Sequence, residues 1–317
     1  MGEMANILHY CSIALVVGAN AISVGIGEGL VGYAAIDATS NQPEANNEVS
    51  RLAILGMALT ETAAIIGVSM ALILIMGTMP ENQNLYSGPS EIGIALAISL
   101  SGLAIGLVSA WPAVGACYSI ARQPFSGNKI LRFMLITQSM IQTPIIFSFI
   151  IAMLIRNQIS TIDTVAESLR MIASGLCVGL GSIGPSIGLA KFGKTACMSI
   201  GINKKSYNQL FSFTLISAAI IETPIIFALV VGLFLISSPA STILQSIAMI
   251  GAALCIGLGT IGPGIASGKS ASRACIQIAK NPTIYSYLSK VSMFAQGMID
   301  TAAIYAFIIS LSLILFR

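Results

Sequence analysis

Long apolar stretches alternate with short polar segments along the whole chain. Each stretch is continuously apolar, and each is long enough for the roughly 20 residues that a helix needs to cross a bilayer. A transmembrane barrel would instead show segments of about ten residues that alternate in polarity. The pattern therefore predicts an all-α membrane protein with eight transmembrane helices, near residues 7–36, 51–77, 92–120, 130–155, 168–198, 206–237, 243–275 and 284–316.

Every second apolar stretch carries one acid or amide at its centre, followed by threonine. The four pairs are Glu61-Thr62, Gln142-Thr143, Glu222-Thr223 and Asp300-Thr301. The steps from one acid position to the next are nearly equal, at 81, 80 and 78 positions. Such a regular period indicates four copies of one unit, here a helical hairpin. We predict hairpin 1 over 1–78, hairpin 2 over 92–156, hairpin 3 over 167–237 and hairpin 4 over 243–317.

A short polar turn connects the two helices of each hairpin. The turns contain Gln42 and Pro43, then Arg122, Gln123 and Pro124, then Asn203, and finally Asn281 and Pro282. The turn amide stands the same 19 positions before the acid in all four hairpins, from 42 to 61, 123 to 142, 203 to 222 and 281 to 300. About fifteen residues of helix, rising 1.5 Å each, put the acid roughly 20 Å from the turn and inside the hydrocarbon layer.

Composition agrees with a membrane protein. Hydrophobic residues make up 56% of the chain, charged residues 9% and the mean hydropathy is +0.90, whereas a soluble domain carries about 25% charged residues. The net charge of +3 is too small to indicate nucleic-acid binding. Twelve of the fifteen basic residues lie at or near the within-hairpin turns, so the positive-inside rule predicts cytoplasmic turns and both termini outside.

The first helix of each hairpin is rich in glycine, as in Gly25, Gly27 and Gly29. Small residues allow helices to approach closely in lipid, where water exclusion does not drive association. The second helices carry bulkier Leu, Ile, Met and Phe. This asymmetry predicts that the first helices pack together on the inside of a ring or an arc.

Together these features resemble the c subunit, or proteolipid, of rotary ATP synthases and ATPases, here as four fused hairpins. The glycine-rich first helix, the Arg122-Gln123-Pro124 type of turn and the membrane acid at a fixed distance after it carry the resemblance. It implies a homo-oligomeric ring in an energy-coupling membrane, plasma or inner, that turns against a stator subunit within lipid. The resemblance also implies that ion flow is coupled to ATP synthesis or hydrolysis in partner subunits.

The resemblance implies roles for individual residues. The ion carriers would be Glu61, Glu222 and Asp300, and the turns would contact the central stalk through Gln42, Pro43, Arg122, Gln123, Pro124, Asn203, Asn281 and Pro282. A charged carboxylate costs several kcal/mol in hydrocarbon, so each acid should be neutral, by protonation or by a bound cation, where it faces lipid. Opposite a stator cation or a water channel the charged form becomes stable, and the ion leaves.

The chain is not expected to be an enzyme by itself. It contains no Gly-x-x-x-x-Gly-Lys-Ser/Thr loop, so we expect no direct nucleotide binding, and ATP chemistry must lie in partner subunits. No resident cofactor is expected.

Hairpin 2 departs from the family pattern because its carrier position is Gln142. An amide cannot release a proton or hold a cation as a charge partner, so this position should be inactive. Three carriers in four hairpins lower the number of ions moved per revolution. This favours an ATP-driven pump, with synthesis left open.

Hairpin 1 has an additional acid, Glu28, in its first helix. The equivalent residues in the other hairpins are Ser109, Leu189 and Ser267. In Na⁺-binding members of the family, a carboxyl or amide in this part of the first helix and a hydroxyl after the main acid help to hold the ion. Such hydroxyls would be Thr62, Thr223 and Thr301, and Glu28, Glu61 and Thr62 could bind Na⁺. Since Leu189 offers no ligand, we favour H⁺ and keep Na⁺ as the alternative.

A self-contained secondary transporter or channel of eight helices is the alternative function. Such proteins commonly have inverted repeats around a shared site, whereas these units are parallel. Two local expectations concern individual side chains: prolines should distort the second helices near Gln142 and Glu222 but not near Glu61 or Asp300, and His9 should be an interfacial residue.

Overall fold

The all-α class is confirmed in the computed structural model, which describes residues 2–77 and 86–316. Part of the first connection between hairpins, together with Met1 and Arg317, lies outside the described residues. The predicted eight spans are also confirmed. Helices long and apolar enough to cross a membrane cover Glu3–Asn41, Pro43–Gly77, Ser87–Arg122, Pro124–Thr161, Val165–Ile200, Lys204–Ser237, Ile243–Lys280 and Pro282–Leu315.

Several of these spans consist of two consecutive helices separated by one residue. Hairpin 1 contains α1 (Gly2–Asn41), α2 (Asn46–Thr60) and α3 (Thr62–Gly77), and hairpin 2 contains α4 (Ser87–Val108), α5 (Ala110–Arg122), α6 (Gly127–Ile141) and α7 (Thr143–Gln158). Hairpin 3 contains α8 (Val165–Gly181), α9 (Ile183–Ile200) and α10 (Tyr207–Ser237), and hairpin 4 contains α11 (Ile243–Gly259), α12 (Ile261–Lys280) and α13 (Tyr285–Leu315).

Short 3₁₀ helices form the polar turns, over Pro43–Ala45, Pro124–Ser126, Lys204–Ser206 and Pro282–Ile284. Proline suits the first position of such a helix because the backbone N–H that it lacks has no intrahelical partner there. The connections between hairpins end at N-caps. The Thr164 hydroxyl accepts a hydrogen bond from the backbone N–H of Glu167, and Thr242 forms a capping box with Gln245.

The first helices of the four hairpins pack against one another in chain order. Helix α1 contacts α4 and α5, these contact α8 and α9, and these in turn contact α11 and α12. The second helices lie to one side of this row and contact each other less extensively. Glycine makes the close approach sterically feasible, since a Cβ added at Gly175 would collide with the carbonyl oxygen of Gly93, and one added at Gly188 with that of Gly264.

The expectation about helix distortion was right at two of the four acid positions. Breaks occur at Gln142 and also at Glu61, whereas α10 continues through Pro224 and α13 through Asp300. At Glu61 the backbone carbonyl of Leu59 accepts hydrogen bonds from Thr62 Oγ1 at 2.8 Å and from Gln142 Nε2 at 3.0 Å. Two side-chain donors on one carbonyl compete with the backbone N–H that would bond to it in a regular helix, which explains the break.

The end hairpins leave large apolar side chains uncovered. On α1, Tyr33 and Ile36 are 69% and 75% exposed, and on α13, Tyr287 and Phe294 are 76% and 73% exposed. The first helices of hairpins 2 and 3 are the most buried of the eight spans. Lipid covers part of this apolar surface, because the spans cross a membrane.

Candidate functional site

The four predicted carrier positions lie at one level of the second helices. Helix α2 provides 15 residues between the first turn and Glu61, which corresponds to roughly 22 Å along the axis. The apolar core of the molecule is divided into two clusters, one toward the turns and one toward the opposite end. The acid positions lie near the boundary between the clusters, at the depth that their constant spacing from the turns predicts.

Glu61 is the most accessible of the four positions. It is exposed at the side of hairpin 1, where it lines a groove of about 450 Å³ together with Glu28. Glu28 is half-buried, and its Oε1 atom is buried without a hydrogen-bond partner in the described structure. The structure thus brings the two predicted carboxyls of hairpin 1 together. Apolar residues, including Val24 and Val68, line most of the groove.

Gln142 is buried between hairpins 1 and 2. Only 5% of it is exposed, and its Nε2 atom donates to the Leu59 carbonyl of hairpin 1. Its Oε1 atom is buried without a hydrogen-bond partner among the described residues. Ser109, the counterpart of Glu28 in hairpin 2, is fully buried, and its hydroxyl likewise has no partner there. Neither Gln142 nor Ser109 can carry the charge of a carboxylate.

Glu222 and Asp300 are less accessible than Glu61. Glu222 is half-buried, its carboxyl group lies near the Thr143 hydroxyl of the preceding hairpin, and its Oε1 atom is buried without a hydrogen-bond partner among the described residues. Asp300 is 7% exposed, and its Oδ1 atom accepts a hydrogen bond from Ser267 Oγ at 3.2 Å. Ser267 is the counterpart of Glu28 in hairpin 4, so the structure brings these two predicted positions together.

The three predicted hydroxyl ligands donate to backbone carbonyls three or four residues earlier in their own membrane spans. Thr62 donates to the carbonyl of Leu59 at 2.8 Å, Thr223 to that of Ala219 at 3.3 Å, and Thr301 to that of Met298 at 2.7 Å. These bonds occupy the hydroxyl protons and leave oxygen lone pairs. Within the two described ranges, no group of three or more His, Cys, Asp or Glu side chains could hold a metal ion.

Two of the turn amides connect neighbouring hairpins. Gln123 Nε2 donates to the carbonyl of Gly201, and Asn203 Nδ2 donates to the carbonyl of Ala279, both at 3.1 Å. In both cases the accepting carbonyl lies just before the next turn amide. These bonds give the amides a role between hairpins, and their predicted contact with a stalk stays a prediction.

Sequence reasoning missed a buried pair between hairpins 1 and 2. His9 Nδ1 lies 2.6 Å from Glu91 Oε2, and the two residues are 7% and 0% exposed. His9 is thus buried against Glu91, a contact that the sequence analysis did not foresee, and its position at the membrane interface stays a prediction. The two residues stand at nearly the same distance before their own turn amides, Gln42 and Gln123. Aligning the repeats on the turn amide could have revealed that they are neighbours.

Amides on the second helices form further links between hairpins. Gln138 Nε2 donates to the Gly56 carbonyl at 2.7 Å, and Gln296 Nε2 donates to the Ser217 hydroxyl at 3.2 Å. Both glutamines stand one helical turn before an acid position. This shared position is a sequence signal that the analysis of the acids alone did not use.

The sequence matches the family model for the ATP synthase c subunit four times, over residues 11–74, 92–155, 172–235 and 250–313. These segments include all four acid positions and most of the chain. The chain belongs to the ATP synthase c-subunit family. The c subunit is a component of the membrane sector of ATP synthase and not a catalytic subunit, so the chain has a rotor-ring role in such a complex.

Individual relatives align with one hairpin at a time. An ATP synthase c subunit of Dehalococcoides mccartyi is 38% identical over 71 residues, which cover 22% of this chain and 93% of that protein. The c subunit of Chloroflexus aurantiacus is 36% identical over 66 residues, or 21% of this chain and 87% of the relative. A Cereibacter sphaeroides protein, named as a second ATP synthase c subunit, is 34% identical over 70 residues. These residues cover 22% of this chain and 84% of that protein.

Proposed function

We propose that this chain carries H⁺ in the rotor ring of a rotary ATP synthase or ATPase, with Glu61, Glu222 and Asp300 as the carriers. The main support is that three carboxyls recur at one depth of the second helices. Among the described residues, none of the three forms an ion pair. Membership of the c-subunit family favours this function over the self-contained transporter.

The mechanism follows from the cost of charge in lipid. A carboxylate in hydrocarbon costs several kcal/mol, so a carrier that faces lipid is protonated. When the ring brings the same carrier to a stator cation or a water-filled channel, the ionised form is stabilised and the proton leaves. Rotation in one direction then moves ions across the membrane and is coupled to ATP synthesis or hydrolysis in partner subunits.

Hairpin 2 takes no part in ion exchange in this mechanism. The Gln142 amide remains neutral in both environments, and its Nε2 atom is already bonded to the Leu59 carbonyl. It acts as a spacer between carriers. Each chain then moves three ions per revolution with four hairpins.

The surroundings of the carriers favour H⁺ over Na⁺. A hard cation takes several oxygen ligands, and Leu189, the first-helix counterpart of Glu28 in hairpin 3, supplies none. Asp300 has one hydroxyl partner, Ser267. Only hairpin 1 offers a second carboxyl, Glu28, and all carriers of one ring must serve the same ion.

The distribution of basic residues supports an orientation. We infer that the turns face the cytoplasm, where they contact the central stalk, and that both termini face the opposite side of a plasma or inner membrane. Exposed charged residues at the turns, among them Glu44, Lys205 and Lys280, provide a polar surface for such a partner.

ATP-driven acidification of vesicles that contain the assembled complex tests the proposal. The substitution Glu222→Gln keeps the shape of the side chain and removes the exchangeable proton, so we expect proton pumping to fail. The matched control is Glu167→Gln, a half-buried residue in the first turn of α8 and away from the carrier positions, which should leave pumping unchanged. Normal pumping by the Glu222 variant would overturn the assignment of this carrier.

A further inference from the structure

The first helices of hairpins 2, 3 and 4 leave one narrow face uncovered. Partly or fully exposed residues recur along it every three or four positions, and most of the residues between them are buried. Such a spacing places side chains on one side of a helix. This surface, here called the inner face, comprises Trp111, Val114 and Tyr118 on α5, Lys191 and Lys194 on α9, and Lys269 and Arg273 on α12.

The inner face points away from the second helices and their carriers. Ser267 of α12 donates a hydrogen bond to Asp300, so this side of α12 faces its second helix. Lys269 follows two positions later, which is about 200° around the helix and therefore on the opposite side. Lys191 stands in the same relation to Leu189, which is buried. Lys191 is exposed although hairpins 2 and 4 flank α9, so neighbouring hairpins do not cover this face.

The charged residues of the inner face are all basic. Helices α5, α9, α11 and α12 contain no Asp or Glu, and none of the four basic residues forms an ion pair with a described residue. The acids of α1 lie elsewhere, since Glu28 lines the groove beside Glu61 and Asp37 lies beside Tyr118. Within the described structure, no carboxylate therefore compensates the positive charge of this surface.

Two of the lysines extend from one level of adjacent helices. Lys191 and Lys269 both stand 12 positions before their turn amides, from 191 to 203 and from 269 to 281. Their helices approach closely, because a Cβ added at Gly188 would collide with the carbonyl oxygen of Gly264. Two ammonium groups at such a position repel each other, and an anion bound between them would stabilise both.

This level lies close to the depth of the carriers. Lys269 is two residues, or about 3 Å along the axis, from Ser267, the partner of Asp300. An ammonium group surrounded by hydrocarbon is costly, so the level must contain polar partners. Trp111 also stands 12 positions before its turn amide. Tryptophan and basic residues at one level are typical of the headgroup region of a membrane, which indicates lipid headgroups on the inner face at this depth.

Toward the end opposite the turns, the inner face is apolar. Leu180 and Leu258 precede the two lysines by 11 positions, which is three helical turns and returns to the same side of the helix. Leu258 is 57% exposed, and Ile247, 11 positions earlier again, is 56% exposed. A basic level followed by about 16 Å of apolar surface matches a headgroup and its acyl chains. Solvent or an acidic peptide would leave this apolar stretch without a matching partner.

We propose that the inner face binds anionic phospholipid, with the phosphate groups at the four basic residues and the acyl chains along Leu180 and Leu258. Arg273 can donate two parallel N–H groups to one phosphate, and the lysines provide compact positive charges. Each basic residue near a lipid surface favours anionic lipid by about fivefold. The site lies opposite the carriers, so it goes beyond the proposed ion transport and does not depend on it.

Tryptophan fluorescence tests the proposal, because Trp111 is the only tryptophan of the chain and lies at the level of the lysines. The full chain is reconstituted in vesicles of phosphatidylcholine and phosphatidylglycerol in equal amounts. Bromine, which quenches a nearby indole, is placed on the acyl chains of one lipid or of the other. We expect stronger quenching when phosphatidylglycerol is the brominated lipid. Equal quenching by the two brominated lipids would overturn the proposal.

Neutral substitutions assign the lipid preference to individual residues. Lys191→Gln with Lys269→Gln removes two charges from the inner face, and most of the excess quenching by phosphatidylglycerol should be lost. Lys191→Arg with Lys269→Arg keeps the charges and should keep the excess. The matched control is Lys204→Gln with Lys205→Gln, which removes two exposed charges from the turn of hairpin 3 and should also keep it. An equal loss in this control would show general attraction to anionic vesicles and would contradict a site on the inner face.

Native mass spectrometry of the assembled ring identifies the occupant of the inner face. The wild-type ring should retain anionic phospholipid, and the ring with Lys191→Gln and Lys269→Gln should lose it. A polypeptide retained in place of the lipid would refute the proposal. Reaction of Glu222 and Asp300 with a carbodiimide should be the same in both rings. This reaction tests the carriers separately, since it would persist if the lipid site were wrong and fail if the carrier function were wrong.

Discussion

Gln142→Glu should convert the inactive hairpin into a fourth carrier. The wild-type amide donates to the Leu59 carbonyl at 3.0 Å from a position that is 5% exposed. A protonated carboxyl can make the same bond through its O–H group. The ionised form has no donor and faces a carbonyl oxygen, which costs about 1–3 kcal/mol for the lost partner alone and more for the charge in lipid.

The variant chain should therefore fold with a neutral carboxyl at this position and ionise only where the stator environment stabilises charge. Each chain would then move four ions per revolution instead of three. The ratio of ions moved per ATP, measured from the ATP/ADP balance against an imposed proton gradient, should rise in the same proportion. Gln142→Leu is the control: it loses the bond to Leu59, which keeps Thr62 as a donor, so stability should fall by only about 0.5–1.5 kcal/mol.

The reasoning is wrong if the Gln142→Glu ring turns with the wild-type ratio while a carbodiimide reacts with the introduced carboxyl. Reaction would show that the group is protonated and accessible, and the unchanged ratio would show that it does not exchange with the stator. The spacing of carriers would then not determine the number of ions moved.

Two further substitutions test the packing of the hairpins. Gly175→Ala should destabilise the chain by about 1–3 kcal/mol, because the added methyl group would collide with the Gly93 carbonyl. Thermal melting in detergent measures this loss of stability. The control Gly251→Ala adds a methyl group that faces open space, so this variant should melt like the wild type. Glu91→Leu removes the hydrogen bond between Glu91 and His9 Nδ1 in a buried setting and should cost about 1–3 kcal/mol. His9→Leu combined with Glu91→Leu should cost less than the sum of the single losses, and strictly additive losses would show that the pair contributes no coupling.

The repeat made most of the architecture predictable. A polar position that recurs at a fixed offset from a turn identifies the hairpins and the depth of the carriers without any contact information. The hydrogen-bond partner of Gln142 lies on a different hairpin, however, whereas that of Asp300 lies on the same hairpin. Gln142 reaches a carbonyl of the preceding hairpin, and Asp300 reaches Ser267 of its own hairpin. Because these contacts depend on how helices rotate in the bundle, the offset alone does not determine them.

The helix breaks likewise depend on contacts between hairpins that the sequence alone does not predict. Proline predicts a break from local geometry, since it lacks a backbone donor. The break at Glu61 instead involves the Leu59 carbonyl, which has a donor from another hairpin. Pro224 lies inside a continuous helix, which shows that bundle packing can maintain a helix through this residue.

Carbodiimide labelling of the purified protein, mapped by mass spectrometry with and without Na⁺, tests the central claim most directly. The reagent attacks a protonated carboxyl in an apolar site, so we expect modification of Glu61, Glu222 and Asp300 that millimolar Na⁺ does not prevent. Protection by Na⁺ would contradict the assignment of H⁺ as the transported ion. If none of the three residues reacted, the carboxyls would be ionised or inaccessible, and the carrier mechanism would be wrong.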